Sequence, residues 1–579
     1  MMTGAALAAA PPPPVDNTWA APAIAAAMAI ALAVVVFALV RSAGGTIRDG
    51  GDFLLAGRKI GVGQNALAMV GGAIMYSTAI IITGHVALNG FDAVLLLTAF
   101  TISTVLAVLI YASPVRNVGG HTMGDLFALR ARERPARIAS AVITLTIYGM
   151  FMIVMVAAIG MVASRMFDTS STVNKPLVAI VVAVVGLVAI MYVYVGGMLG
   201  ITRMLVLKVV LVVGLIAVLT GIVMARYKLN IFALLDDAEA NAAPDKRGFD
   251  LLGPGRLFGE GSTPNSGQDP WVHLSKTFSI AVGVMGMPFL FMRYFVATSG
   301  RAARRSAGWA SMIIVGFYQC MIVLGLGAIA ILGAKNIGVI PAHRDITLPK
   351  LADELGGQWA SGALGAVALL SVGSVFAVLL MNAVMCFTKD INAARGRKPE
   401  PATELKDIRR NGLVIGIVTL IVGMVMLTQL THVFIPTSID VGAATVLPAV
   451  VYSMFWRRFN TAGLMWTVYG GLAVTMFMVV FSNGVSGDPA ALFPDADFKF
   501  VDFEPGLLGA PLGFLFGYIG TLTSDERNDA GYAQMRVRAL TGAVIPARTD
   551  VGTDARKDLP GPRGVDEPDR EKRTSSEAL

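Results

Sequence analysis

Apolar residues run along this chain in long blocks, many reaching the ~20 residues that cross a hydrocarbon core of about 30 Å. About 13 such blocks can be marked. They lie near residues 20–41, 62–85, 91–113, 138–164, 176–195, 201–225, 272–295, 306–333, 359–387, 412–430, 434–456, 461–481 and 506–523. A backbone inside a bilayer must satisfy its own hydrogen bonds, so each block is expected to be a helix. The expected fold class is an all-α integral membrane bundle.

Two blocks are interrupted at depth. The second contains Val70-Gly71-Gly72-Ala73-Ile74-Met75-Tyr76-Ser77-Thr78, and the seventh contains Gly283-Val284-Met285-Gly286-Met287-Pro288-Phe289. Each would open a unit of five helices, about 62–225 and 272–456. Paired interruptions in corresponding places of two halves point to the central site of a carrier. Unwound backbone offers carbonyls to a cation and half-helix N-termini to an anion. The other reading is that small residues let membrane helices pack closely.

The polar segments set the orientation. Basic residues gather in alternate loops, around Arg41–Lys59, Arg116–Arg137, Arg301–Arg305, Lys389–Arg410 and Arg457–Arg458. The positive-inside rule puts these in the cytoplasm, with the N-terminus outside and the C-terminus inside. Residues 1–19 carry the run Pro11–Pro14 and read as a disordered outer segment; the tail 524–579 reads as disordered and cytoplasmic. The block from about Ala23 to Val40 is long for a signal sequence and has no Lys or Arg before it, so it reads as a first span.

Composition narrows the class further. The 579 residues are 55% hydrophobic and 15% charged, well below the roughly 25% charge of soluble proteins. The net charge of +8 is spread over alternate loops, which argues against a nucleic-acid partner. Cys320 and Cys386 both lie in apolar runs and form no disulfide framework. No Walker A, His-Glu-x-x-His or Gly-x-Ser-x-Gly motif occurs, so neither ATP-driven transport nor hydrolysis is indicated.

A few polar residues stand inside the blocks. Ser371 and Ser374 share one helix face and could ligate a small hard cation or bond to a neighbouring helix. Lys208 interrupts Val206-Leu207-Lys208-Val209-Val210, and Arg203 follows Thr202. An intramembrane base is a functional residue by default, or it snorkels to the surface. Asp440 reads as a hydrated interfacial acid near the outer end of its block, His85 and His432 lie near outer helix ends, and His273 lies near the start of the seventh block.

Short motifs resemble the solute:sodium symporter family over roughly residues 20–523. They are Gly51-Asp52-Phe53-Leu54-Leu55-Ala56-Gly57-Arg58, Arg116-Asn117-Val118-Gly119-Gly120-His121-Thr122-Met123-Gly124-Asp125, and Gly196-Gly197-Met198. Pro288 with Met292-Arg293, Phe387-Thr388-Lys389-Asp390-Ile391 and Trp456-Arg457-Arg458-Phe459-Asn460 complete them, with Gly463. Gly197-Met198-Leu199-Gly200-Ile201-Thr202, with Lys208 after it, and Met292-Arg293-Tyr294-Phe295 are most similar to the cation–acetate (monocarboxylate) permease branch.

The resemblance implies a 13-helix, LeuT-type fold of two inverted five-helix repeats. It implies a multi-pass plasma-membrane carrier, not an enzyme, that moves a small monocarboxylate such as acetate with sodium or a proton. Another small solute, such as an amino acid, a sugar or urea, or a sensor that has lost transport, is the alternative. The family's sodium site would fall on the carbonyls of Gly71, Ile74 and Ser371 and the hydroxyl of Ser374. The chain departs from that pattern at Val375, where a second hydroxyl is usual, at Arg203, where an acid is usual, and at Gly72, where the acetate branch has Asp. Lys208, which can release a proton as Arg203 cannot, could then stand in for the ion. Met75, Tyr76, Ser77, Thr78, Met285, Met287 and Phe289 are the expected lining of the substrate pocket. No other cofactor is implied, and the oligomeric state is not legible.

Overall fold

A computed structural model describes residues 20–74, 76–167, 175–242, 250–256, 269–337, 346–397, 401–426, 431–487, 491–493 and 495–543. All but Ala543 belong to one compact unit, Met1–Gly542. The described residues form helices with no strand, and two isolated bridges, Ser482 with Val501 and Ser486 with Phe493, are the sole β contacts. Ten helices among them are long and apolar enough to cross a membrane.

The difference from 13 blocks has a local reason in each case. Blocks 176–195 and 201–225 form one helical run, α6 (Lys175–Arg226), bent at Gly197 with φ 51° and ψ −153°. A side chain would be strained at that φ, which is why glycine stands at the bend. The second block is divided into α2 (Val62–Ala73) and α3 (Tyr76–Asn89), and α16 (Gly506–Leu522) has 17 residues.

The remaining helices used below are α1 (Ala20–Gly44), α4 (Phe91–Ile110), α5 (Glu133–Phe167), α7 (Pro270–Gly283) and α8 (Pro288–Val296). They continue with α9 (Gly300–Leu332), α10 (Thr347–Cys386), α11 (Pro401–Val425), α12 (Thr431–Val441) and α13 (Leu447–Phe455). Then come α14 (Thr461–Met465), α15 (Gly471–Val480) and, after α16, α17 (Asp529–Thr541).

Helix α10 is the most enclosed, its spanning window being 89% buried. It packs along α6, α1 and α5 and touches α2. The outward faces of the bundle carry large apolar residues such as Ile30, Val34, Ile180, Val184, Val218, Val414 and Ile421. Such a surface suits hydrocarbon rather than water.

The tail departs from the disordered reading of 524–579. Arg130 is wholly buried and donates to the carbonyls of Asn528, Trp456, Arg457 and Phe459 at 2.8–3.1 Å. Asn117 donates to Ala539 O at 2.9 Å. These bonds hold α17 against the loops between the spans, so order persists to about Thr541. The polar stretch between the blocks ending near 225 and starting near 272 contains a helix, Ile231–Ala242.

Candidate functional site

The two interruptions read from the sequence are breaks in the backbone. Helix α2 stops at Ala73, and Ile74 is extended with φ −81° and ψ 112°. Helix α7 tightens into a 3-10 turn, Val284–Gly286, and Met287 is extended with φ −71° and ψ 120°. Pro288 explains the second break, because the residue before proline is driven to extended backbone. Proline is then well placed at the first turn of α8.

Each break is set by close backbone approach. A Cβ on Gly71 would stand 3.0 Å from Leu205 O and 3.1 Å from Val209 Cγ2 of α6. A Cβ on Gly286 would collide with the carbonyl of Gly442. Gly442 opens a π-helical turn, Gly442–Val446, between α12 and α13. Such turns are frequent at functional sites.

Lys208 lies on the face of α6 that meets α2. Its side chain is wholly buried, and Nζ donates to Gly71 O and to Ile74 O, each at 2.7 Å. These are the two α2 carbonyls that the resemblance assigns to sodium. They are also carbonyls freed by the end of a half-helix, where the helix dipole favours positive charge. The ammonium of Lys208 therefore makes the contacts that a bound monovalent cation would make.

The other expected cation ligands, Ser371 and Ser374, are buried on α10. The Ser374 hydroxyl donates to Leu370 O of its own helix. Arg203 is elsewhere: its guanidinium donates to Ser42 Oγ at 2.7 Å in an exposed position at the end of α1. Five residues separate it from Lys208, which puts the two on different faces.

Of the expected pocket residues, Met285 and Met287 are buried at the second break and Phe289 is partly buried. Met75 lies outside the described residues, as do the side chains of Tyr76, Ser77 and Thr78.

Arg293 of α8 was read only as part of a motif, yet it is 5% exposed and Nη1 donates to Thr202 Oγ1 at 3.0 Å. Its carbonyl accepts from Asn65 Nδ2 of α2 at 3.4 Å. The signal that marks Lys208, a base within an apolar run, marks Arg293 too. Among the described residues neither base has a carboxylate within ion-pair distance. Burying a charged base without an acid beside it is costly, so the pair marks this region as one with a role beyond packing.

A second polar cluster closes one end of α10. Asp390 is fully buried and accepts from Thr122 Oγ1 at 2.6 Å, Ser140 Oγ at 3.1 Å and Arg137 Nη1 at 3.4 Å. Arg137 also pairs with Asp125 at 2.9 Å and Glu133 at 3.0 Å. Burial pushes the neighbouring His121 imidazole below its ordinary range.

Asp440 departs from the expectation of a hydrated interfacial acid. It is wholly buried near the end of α12. His273, also expected near a helix end, is 5% exposed on α7.

Comparisons with known proteins bear on these features. The sequence model described as "Sodium:solute symporter family" matches residues 53–471. A monocarboxylic acid transporter of Corynebacterium glutamicum is 32% identical over 528 residues, covering 89% of this chain and 94% of that protein. An uncharacterized symporter of Bacillus subtilis, YwcA, is 28% identical over 498 residues, covering 85% of this chain and 93% of that protein. Among solved structures, a Na+-coupled sialic acid symporter in a substrate-bound outward-open state superposes with a TM-score of 0.66. It is 14% identical and covers 87% of this chain and 99% of that one, a likeness of fold.

Proposed function

The chain belongs to the sodium:solute symporter family, and on that premise we propose that it carries a small monocarboxylate such as acetate across the cell membrane together with a proton. The observation that carries this reading is the Lys208 ammonium on Gly71 O and Ile74 O at 2.7 Å. A tethered cation at these carbonyls leaves little for sodium to gain there, because like charges repel strongly in a dry interior. Lysine can release and regain a proton, so the same contacts can be made and broken during a cycle.

The monocarboxylate follows from charge and from kinship. Lys208 and Arg293 are buried bases on the helices that frame the breaks, and a carboxylate guest would offset them. The name of the Corynebacterium relative is in keeping with this substrate class. Met285, Met287 and Phe289, with Met75, Tyr76, Ser77 and Thr78, would line the pocket between the two breaks. The half-helix N-termini of α3 and α8 would face the carboxylate.

In the proposed layout α6 crosses the membrane twice about Gly197. The split α2–α3 and the short α16 cross once each. This gives 13 spans, with inverted repeats near 62–225 and 272–456, the N-terminus outside and the C-terminus in the cytoplasm. Protonated Lys208 would hold the end of α2 against α6 while the carrier faces out. Loss of the proton would free α2 to move in alternating access. Acetate uptake into proteoliposomes, with proton and sodium gradients imposed separately, tests the proposal.

A further inference from the structure

Among the described residues neither carboxylate oxygen of buried Asp440 receives a well-formed hydrogen bond, although the Ser279 hydroxyl and the Gly506 N–H lie beside it. Ser279 of α7 is 1% exposed, and its hydroxyl likewise makes no well-formed bond, with the Asp440 carboxylate as its polar neighbour. The two groups converge: a Cβ on Gly506, the first residue of α16, would collide with both Asp440 Oδ1 and Ser279 Oγ. Glycine at this place keeps the space between them open. Buried polar groups that native proteins leave unpaired call for an unplaced partner, and a carboxylate inside a span calls for a positive one.

The surroundings set the charge of that partner. Glu504, in the connection ahead of α16, faces Asp440 and is held near α7 by its N–H, which donates to Ser275 Oγ at 2.8 Å. Burial pushes the Glu504 carboxyl above its ordinary range, against the pull of Lys276. Among the described residues Lys276 of α7 is the base that faces the pair, and it is exposed. His273, one turn earlier on α7, faces Asp92 of α4. Helix α16 contributes the backbone of Gly506 and no charge. Two acids against one lysine leave the site short of a single positive charge.

We propose that Asp440, Ser279 and Glu504 form a binding site for one monovalent cation, a proton or Na+, separate from Lys208. His273, Lys276 and Ser279 recur every three residues, so they form a polar row along one face of α7 that leads to the site. Asp440 lies two residues before the π-helical turn whose Gly442 abuts Gly286 of the broken α7. Filling the site thus bears directly on the backbone that interrupts the seventh block.

Dicyclohexylcarbodiimide, an apolar reagent for protonated carboxyl groups, provides the test. The acid proton passes to a carbodiimide nitrogen and the carboxyl oxygen bonds to the central carbon. Migration of the acyl group to nitrogen then leaves a stable N-acylurea on the residue. Purified full-length protein is treated over a range of pH with Na+ or K+, and Asp440 is read by peptide mass spectrometry. Radioactive sodium binding is measured in parallel for wild type and Asp440→Asn. If the proton fills the site, Asp440 is labelled at neutral pH, labelling is lost as pH rises, and Na+ has no more effect than K+. If Na+ shares it, Na+ alone suppresses labelling and Asp440→Asn loses bound sodium. Glu504→Gln moves the labelling midpoint to lower pH, because a neighbouring negative charge is gone. Lys208→Met retains these signals, which separates this site from the coupling role of Lys208. Absence of the Asp440 adduct at every pH, together with equal sodium binding by wild type and Asp440→Asn, overturns the proposal.

Discussion

Lys208 and Ile74 are 134 positions apart in sequence, and the ammonium of the first donates a 2.7 Å hydrogen bond to the carbonyl of the second. The bond joins the middle of α6 to the end of the half-helix α2. A tethered base thereby stands at the carbonyls that the family resemblance assigns to sodium.

Replacing Lys208 separates charge from proton exchange. Lys208→Met is expected to reduce acetate uptake about tenfold or more, equivalent to at least ~1.4 kcal/mol. Lys208→Arg is expected to do the same, since arginine retains its proton. Uptake in proteoliposomes, with size-exclusion profiles as a check on folding, decides this. Proton-driven uptake surviving in Lys208→Arg would remove the lysine from the coupling step.

Ser374 offers a contrasting substitution. Its hydroxyl already bonds to Leu370 O within α10, and Lys208 supplies the positive charge on the α2 carbonyls. Ser374→Ala is therefore expected to change uptake by less than about threefold, under ~0.7 kcal/mol. Abolished uptake, or a new sodium requirement in the wild type that the variant lacks, would restore the hydroxyl as an ion ligand.

The contact of Gly286 with Gly442 has no room for a side chain. Gly286→Val is expected to lower stability by about 1–3 kcal/mol through overpacking and strain. A reduced midpoint in a thermal unfolding scan of the detergent-purified protein would show it. An unchanged midpoint would mean that the break does not depend on this approach.

Arg130 tests the tail. Its guanidinium serves four carbonyls, and its cation lies 4.9 Å from the centre of the Tyr532 ring. Arg130→Met leaves those acceptors unpaired, and a loss of about 2–3 kcal/mol is expected. Faster protease cleavage within 529–541 would accompany it. Unaltered cleavage would show that α17 is held by other contacts.

Much of this was legible in the sequence, and the rest was hidden for physical reasons. Long apolar blocks announce spans because a bilayer allows few alternatives to helix. Gly283, Gly286 and Pro288 announce a break because proline and glycine act on local backbone. Lys208 could be marked as an anomaly, but its partners could not, since they depend on which face of α6 meets α2. Asp440 was misjudged because its position suggested water, whereas burial is decided by α7 and α16, distant in sequence. The helix at Asp529–Thr541 is not legible because it is short and of mixed composition, and its order comes from burial of Met535 and from tertiary bonds to Arg130 and Asn117.

Coupling by a proton rather than sodium is tested most directly by radiolabelled acetate uptake into proteoliposomes under one gradient at a time. Lys208 at the carbonyls of Gly71 and Ile74 predicts accumulation with an inward proton gradient in sodium-free buffer, lost in Lys208→Met. Accumulation that requires an inward sodium gradient and ignores the proton gradient would contradict it.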